Sequence, residues 1–217
     1  PMAQRCIDSV KRYTTNFDLV VIDNNGSGNF NHSREMNRLI DMCRTDYLVL
    51  MDDDVFVEEG WLDGLLKCID DKTALVTPCH KNAKGQLSYA GIIMNPNDSG
   101  HHTHILEMPT QPMPVQSICS AVMLLDLPKI GHIKIEEVYK KYFLDIAYGL
   151  VVWEAGYRVL CTPEVLVTHV GGGTLAHNTD SAGTKFEQQR SIFVKAWCNT
   201  GRLHRLKTTI WDNEPVI

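Results

Sequence analysis

Residues 47–57, Tyr-Leu-Val-Leu-Met-Asp-Asp-Asp-Val-Phe-Val, constrain the fold of this chain more than any other stretch. Largely apolar residues run straight into three consecutive carboxylates, Asp52, Asp53 and Asp54, and an apolar triplet follows. Such a run reads as a strand buried on both faces, the pattern of a central strand in a helix-covered parallel sheet. The acids fall where that strand ends, and open α/β sheets bind their ligands beyond the carboxyl ends of their strands. Adjacent carboxylates repel one another, so a bound cation is the simplest way to stabilise the cluster. A solvated acidic turn is the alternative.

With 217 residues, 44% hydrophobic and 22% charged, the chain can build one domain with a full core, or a domain with a small appendage. A net charge of −5 gives no support for nucleic-acid binding, which needs a basic face. No apolar run is long enough to cross a bilayer. The start, Pro1-Met2-Ala3-Gln4-Arg5, lacks the apolar core of a secretion signal. The seven cysteines (Cys6, Cys43, Cys68, Cys79, Cys119, Cys161, Cys198) show no C-x-x-C spacing, and most lie in apolar stretches. They read as buried free thiols in a reducing compartment and give no support to a zinc site. The expected location is cytoplasmic.

Apolar spacing predicts a helix over 3–13, with Cys6, Ile7 and Val10 on one stripe. A short strand over 17–22 is expected to run into the turn-formers Asp23-Asn24-Asn25-Gly26. A helix over 33–44 with Ser33 as N-cap, the strand 47–51, a helix over 58–69 and a strand over 74–78 complete the first part. The order α-β-α-β-α-β argues for a parallel sheet with helical crossovers. Doubly wound domains open with a strand and this one opens with a helix, so the first strand is expected to be missing or supplied by another segment. Residues 80–117 read as a long irregular connection, with a strand or hairpin arm at 86–94 and four prolines between 96 and 114. Three histidines, His101, His102 and His104, fall within four residues there; no further ligand is spaced to help them, and a solvated loop is the expectation. A buried strand over 118–126, a helix from 135 to 155 ending at Gly156, and short strands at 157–161 and 165–168 flanking Pro163 follow. The glycines 171–173 open a flexible segment, and a last helix over 185–198 precedes the basic tail 202–207. That tail reads as a solvated helix face, with an anionic acceptor or a peripheral membrane contact as the alternative.

Three polar clusters end apolar strands: Asp23-Asn24-Asn25, Asp52-Asp53-Asp54 and Thr168-His169. An acid at one strand end and a metal site at the next suit a nucleotide lying across the sheet edge. The stretches "FDLVVIDNNGS" (17–27), "YLVLMDDDVFV" (47–57) and "GYRVLCTPEVLVTHVGGGT" (156–174) together resemble the GT-A glycosyltransferases, specifically the large family 2. The resemblance covers roughly residues 5–175. It implies an α/β, Rossmann-like and mostly parallel sheet flanked by helices, with a nucleotide-binding half (1–79), a smaller acceptor half (80–175), and a flexible loop and C-terminal helix or tail (176–217).

The resemblance also implies an inverting transfer of a sugar from a nucleotide-diphosphate donor (UDP, GDP or dTDP type) to a hydroxyl of a glycan or lipid-linked acceptor. Asp23 and Asn25 would hold the nucleotide, with Asp52 and Asp53 toward the ribose. Asp54, with Asp52 and His169, would hold Mn²⁺ or Mg²⁺, and Asp145 would be the general base. The acids that accompany that base in the family are Leu144 and Ala147 here, which keeps a catalytically impaired nucleotide-sugar-binding module as an alternative. A haloacid-dehalogenase-type phosphatase also places Asp-x-Asp after a strand. It normally carries Thr or Val where this chain has Phe56, and its later Gly-Asp-x-x-x-Asp is missing.

Overall fold

The computed structural model describes residues 2–24, 30–95, 100–171, 179–214 and 216, with the side chains of 179–182 left aside. Its centre is β3 (Thr73–Lys81), whose residues are buried from Thr73 to His80. β3 pairs in parallel with β9 (Arg158–His169) and antiparallel with β8 (Val122–Asp126). β1 (Tyr47–Met51) lies antiparallel beyond β8, and β2 (Val55–Phe56) lies antiparallel beyond β9. The strand order is therefore β1-β8-β3-β9-β2, with β4 (Leu87–Tyr89) on β3 and β7 (Met113–Pro114) on β9. The architecture is α/β and the sheet is mixed, with its parallel pair at the core.

The continuous burial along β3 and β8 is explained by cover on both faces. One face packs α5 (Leu144–Glu154), whose Leu144, Ile146, Leu150, Val152 and Trp153 join Leu75, Met123 and Leu125 in one cluster. The other packs α1 (Met2–Tyr13) and α3 (Trp61–Leu66), where Val10, Trp61 and Leu65 meet Val76, Val122 and Leu124. Across 80–117 the chain is more ordered than its composition suggests: β5 (Ile92–Met94) and β6 (His102–His104) form an antiparallel pair. The C-terminal helices α6 (Thr179–Phe193) and α7 (Arg202–Leu206) pack on the α5 side, where Phe193, Trp197, Leu203, Leu206 and Trp211 are buried in the main cluster. No helix among the described residues is long and apolar enough to cross a membrane.

Five expectations are corrected. The run 47–51 is not a central parallel strand buried on both faces: β1 ends the strand order, lies antiparallel to β8 and buries only Leu50 fully. Residues 17–22 are not a strand: Leu19, Val20 and Val21 are 43%, 51% and 59% exposed and no ladder partner is present among the described residues. β propensity alone cannot hold a strand without a neighbour to hydrogen-bond. The second helix, α2, spans His32–Met42, and its N-cap is Asn31, which accepts from the Arg34 N–H; Ser33 is inside the helix, buried, with its hydroxyl on the Tyr139 carbonyl. Residues 135–143 are not helical. Side chains and backbone of α2 satisfy that segment instead: Asn37 bonds both the N–H and C=O of Ile135 at 2.8 Å, Asn31 reaches Glu137, and the His32 N–H reaches Lys140. Helix α5 starts only after Phe143, whose φ of +65° breaks the run. Finally, the two strands flanking Pro163 are one twelve-residue strand, and its register against β3 jumps from Pro78–Thr162 to Cys79–Leu166, so a bulge absorbs the proline.

Candidate active site

Strand β1 ends at Met51, and the Asp52 N–H then bonds the Ala121 carbonyl at 3.0 Å, so the first acid sits where the sheet ladder stops. Three residues on, β2 pairs Val55 with His169, the last residue of β9. That register puts Asp54 beside the end of β9. The Asp54 carbonyl accepts from Val170 and its carboxylate from the Gly171 N–H, both at 3.1 Å, while His169 Nε2 lies 3.4 Å from the other carboxylate oxygen. Asp52, Asp54 and His169 each offer a ligand atom within 4.8 Å of the others. Asp53 points to solvent. His32, at the start of α2, lies 3.4 Å from Asp52 through its Nε2.

The electrostatics differ across this group. Burial first, then the charge of Asp54, pushes Asp52 up to about 7. The hydrogen bond with His169 outweighs burial at Asp54 and holds its carboxyl below the usual range. His169 is drawn down by burial, but Asp54 and Asp52 together leave it raised. Two carboxylates with one imidazole are a donor set suited to a hard to borderline divalent cation such as Mn²⁺, with Mg²⁺ less favoured by the imidazole. The residues present fit such an ion, because a cation here would offset the burial and the Asp54 charge that disfavour ionised Asp52.

Asp145 occupies the first turn of α5, where the helix dipole favours a carboxylate. One of its oxygens accepts from the Ser120 N–H at 3.0 Å and the other from the Ile146 N–H at 2.9 Å, so its orientation is fixed. Its charge is felt at Asp52, His32 and His102, which places it at the same centre. It lines a pocket of about 140 Å³ together with His102, His104, Lys141, Tyr142 and Phe186. Asp23 is exposed near the end of residues 17–24, which form no strand. Asn25 lies outside the described residues.

Sequence reasoning did not anticipate His32, His80, Cys119 or Lys141 at this centre, and it placed the histidine cluster in a solvated loop. A signal for the last was present. His102 and His104 are two apart, so on a strand they share a face, and in β6 their rings lie 6.3 Å apart on the pocket side. Nothing in the local sequence marks His32 or His80.

Residues 26–124 match the family model described as glycosyl transferase family 2. Among solved structures the chain is similar to the "Crystal structure of GalNAc-T7 with UDP, GalNAc and Mn2+", with 12% sequence identity and a TM-score of 0.52. The chain has a GT-A-type α/β fold. The match covers 65% of this chain and 30% of that one, so this chain spans under a third of that relative. Comparison with curated proteins gives no match. The family match contains the three acids but stops before Asp145 and His169; the register of β2 on β9 and the Asp145–Ser120 bond bring those two back to the acids.

Proposed function

We propose that this chain is a metal-dependent, inverting glycosyltransferase that moves a sugar from a nucleotide-diphosphate donor to a hydroxyl of a glycan acceptor. The observation that carries this reading is the convergence of Asp52, Asp54 and His169 at the strand ends, with Asp145 fixed in the adjoining pocket. Asp52, Asp54 and His169 would hold Mn²⁺, an ion present in the structure of the GalNAc-T7 relative along with UDP. When bound, the ion supplies Lewis-acid neutralisation of the charge that builds on the departing diphosphate.

The chain's own residues then do the rest. Asp145 removes the proton of the acceptor hydroxyl as that oxygen attacks the anomeric carbon, and the carbon–oxygen bond to the diphosphate breaks on the opposite face. Both oxygens of Asp145 already accept a backbone N–H, and each keeps a lone pair for that proton. The flat faces of Tyr142 and Phe186 suit a sugar ring, and His102 and His104 offer ring nitrogens to its hydroxyls. Asp23 lies on the nucleotide side in this reading.

A thermal-shift screen of UDP, GDP and dTDP with and without Mn²⁺ tests the donor half. One nucleotide should stabilise the chain only with the metal present, by about 2.7 kcal/mol at a ~100-fold excess over Kd. The same mixture with the matching nucleotide sugar should release nucleoside diphosphate, and EDTA should stop it. No metal-dependent stabilisation and no metal-dependent release from any common donor would sink the proposal. Stabilisation without release would leave a binding module and remove the enzyme.

A further inference from the structure

Behind the acidic centre, on the sheet side, lies a second set of ligand atoms. His80 on β3, Cys119 just before β8 and His169 each present one within 4.8 Å of the others. His80 is 0% exposed, and neither of its ring nitrogens has a hydrogen-bond partner among the described residues. Buried polar atoms left without partners are destabilising and uncommon in native proteins. The positions are also braced. Tyr89 packs against the His80 ring, tilted by 32° at 4.4 Å between centroids, and its hydroxyl accepts the Cys119 N–H at 3.0 Å. One side chain thus fixes two of the three residues, as the groups packed behind metal ligands do.

We propose that His80, Cys119 and His169 form a second metal site, selective for a thiophilic ion of the zinc class. Two imidazoles and a thiolate suit Zn²⁺ or Co²⁺ and disfavour Mn²⁺ and Mg²⁺. Tetrahedral zinc with these ligands has donors about 3.5 Å apart, so the three groups need to close by only an ångström or so. Binding takes the proton from the Cys119 thiol and releases it to solvent, leaving one coordination position open. His169, 23% exposed at its side chain, gives the ion its path from solvent. The same imidazole belongs to the Asp52–Asp54 group, so an ion held here withdraws a ligand from that group. Zinc is therefore expected to weaken Mn²⁺ binding. That consequence rests on the proposed donor site; the site itself does not.

Titration of the metal-free chain with Co²⁺ tests it without reference to activity. A sulfur-to-cobalt charge-transfer band should appear at one equivalent, survive in Asp54→Asn and disappear in Cys119→Ser. His80→Gln should raise the Kd for Zn²⁺ at least about 10-fold. A band that is absent in the wild type, or unchanged in Cys119→Ser, overturns the proposal. Should Cys119→Ser not fold, X-ray absorption of the zinc-loaded wild type decides. One sulfur near 2.3 Å with two imidazoles is the expected shell, and a shell of oxygen and nitrogen alone overturns it. If the cobalt band is present but Mn²⁺-dependent nucleotide binding is not, the zinc-class site stands and the donor reading falls.

Discussion

Asp145 carries a geometric burden that its substitution exposes. Each carboxylate oxygen accepts a different backbone N–H. Asn offers one oxygen and one NH₂, so Asp145→Asn leaves one buried N–H facing a donor and should cost about 1–3 kcal/mol of stability. If Asp145 is the base, kcat for transfer should also fall by ~10²–10⁴ while donor Kd stays within about 3-fold. Transfer at the wild-type rate in a folded variant would remove it as the base. His80 makes a different prediction. Burial first, then the neighbouring His169 and His104, pushes its pKa down to about 3 against the pull of Asp54, whereas the unfolded imidazole titrates near 6.5. Between those values the unfolded chain binds the extra proton, so the contribution of His80 is complete above ~6.5 and is lost as pH falls, at up to about 1.4 kcal/mol per pH unit. From pH 7 to 5, chelator-treated wild type should lose about 2 kcal/mol more than His80→Phe in urea unfolding. Parallel slopes would show that His80 is not held neutral by the fold.

At the scale of elements, legibility follows where each segment finds its hydrogen bonds. The run 47–51 is a strand, as its apolar pattern says, because β8 lies beside it. The equally strand-like 17–22 has no ladder among the described residues, and its sequence contains nothing that tells the two cases apart. Residues 135–143 fail in the opposite sense. Their apolar spacing mimics a helix, since Ile135, Tyr139 and Phe143 are all buried, but their backbone is tied to α2. Asn37 makes the tightest of those ties, and no periodicity argument could show that a polar residue mid-helix serves another segment. Asn37→Ala strips partners from the buried N–H and C=O of Ile135 together. A loss of about 2–4 kcal/mol is expected, with faster hydrogen exchange at the Ile135 amide than in wild type. Exchange and stability both unchanged would mean that the loop holds its shape without α2.

Across the whole molecule, the candidate centre joins residues far apart in the chain, and only part of that joining was readable. The three acids announced themselves by charge density at a strand end, and His169 by its place at another strand end. That Asp54 and His169 meet depends on the pairing of Val55 with His169, and that Asp145 faces them depends on where α5 begins. Both are long-range facts of register that a single sequence does not carry. The C-terminal region shows the same limit. Its basic face was visible; its apolar anchors were not seen as part of the core. Trp197 is fully buried, stacked toward Phe193, with the Arg202 guanidinium 3.6 Å from the centroid of its ring. Arg202 in turn forms an ion pair with Glu154 at the end of α5. Phe193 stacks on Phe143, which lines the pocket beside Asp145. These contacts make the C-terminal helices one cooperative unit with the sheet and give them a hand in shaping the pocket. Trp197→Ala should therefore cost about 3–5 kcal/mol and lower the midpoint of a single urea transition seen alike by circular dichroism and fluorescence. A two-step transition in wild type, with the helices melting before the sheet, would show instead that the C-terminal region folds apart from the sheet.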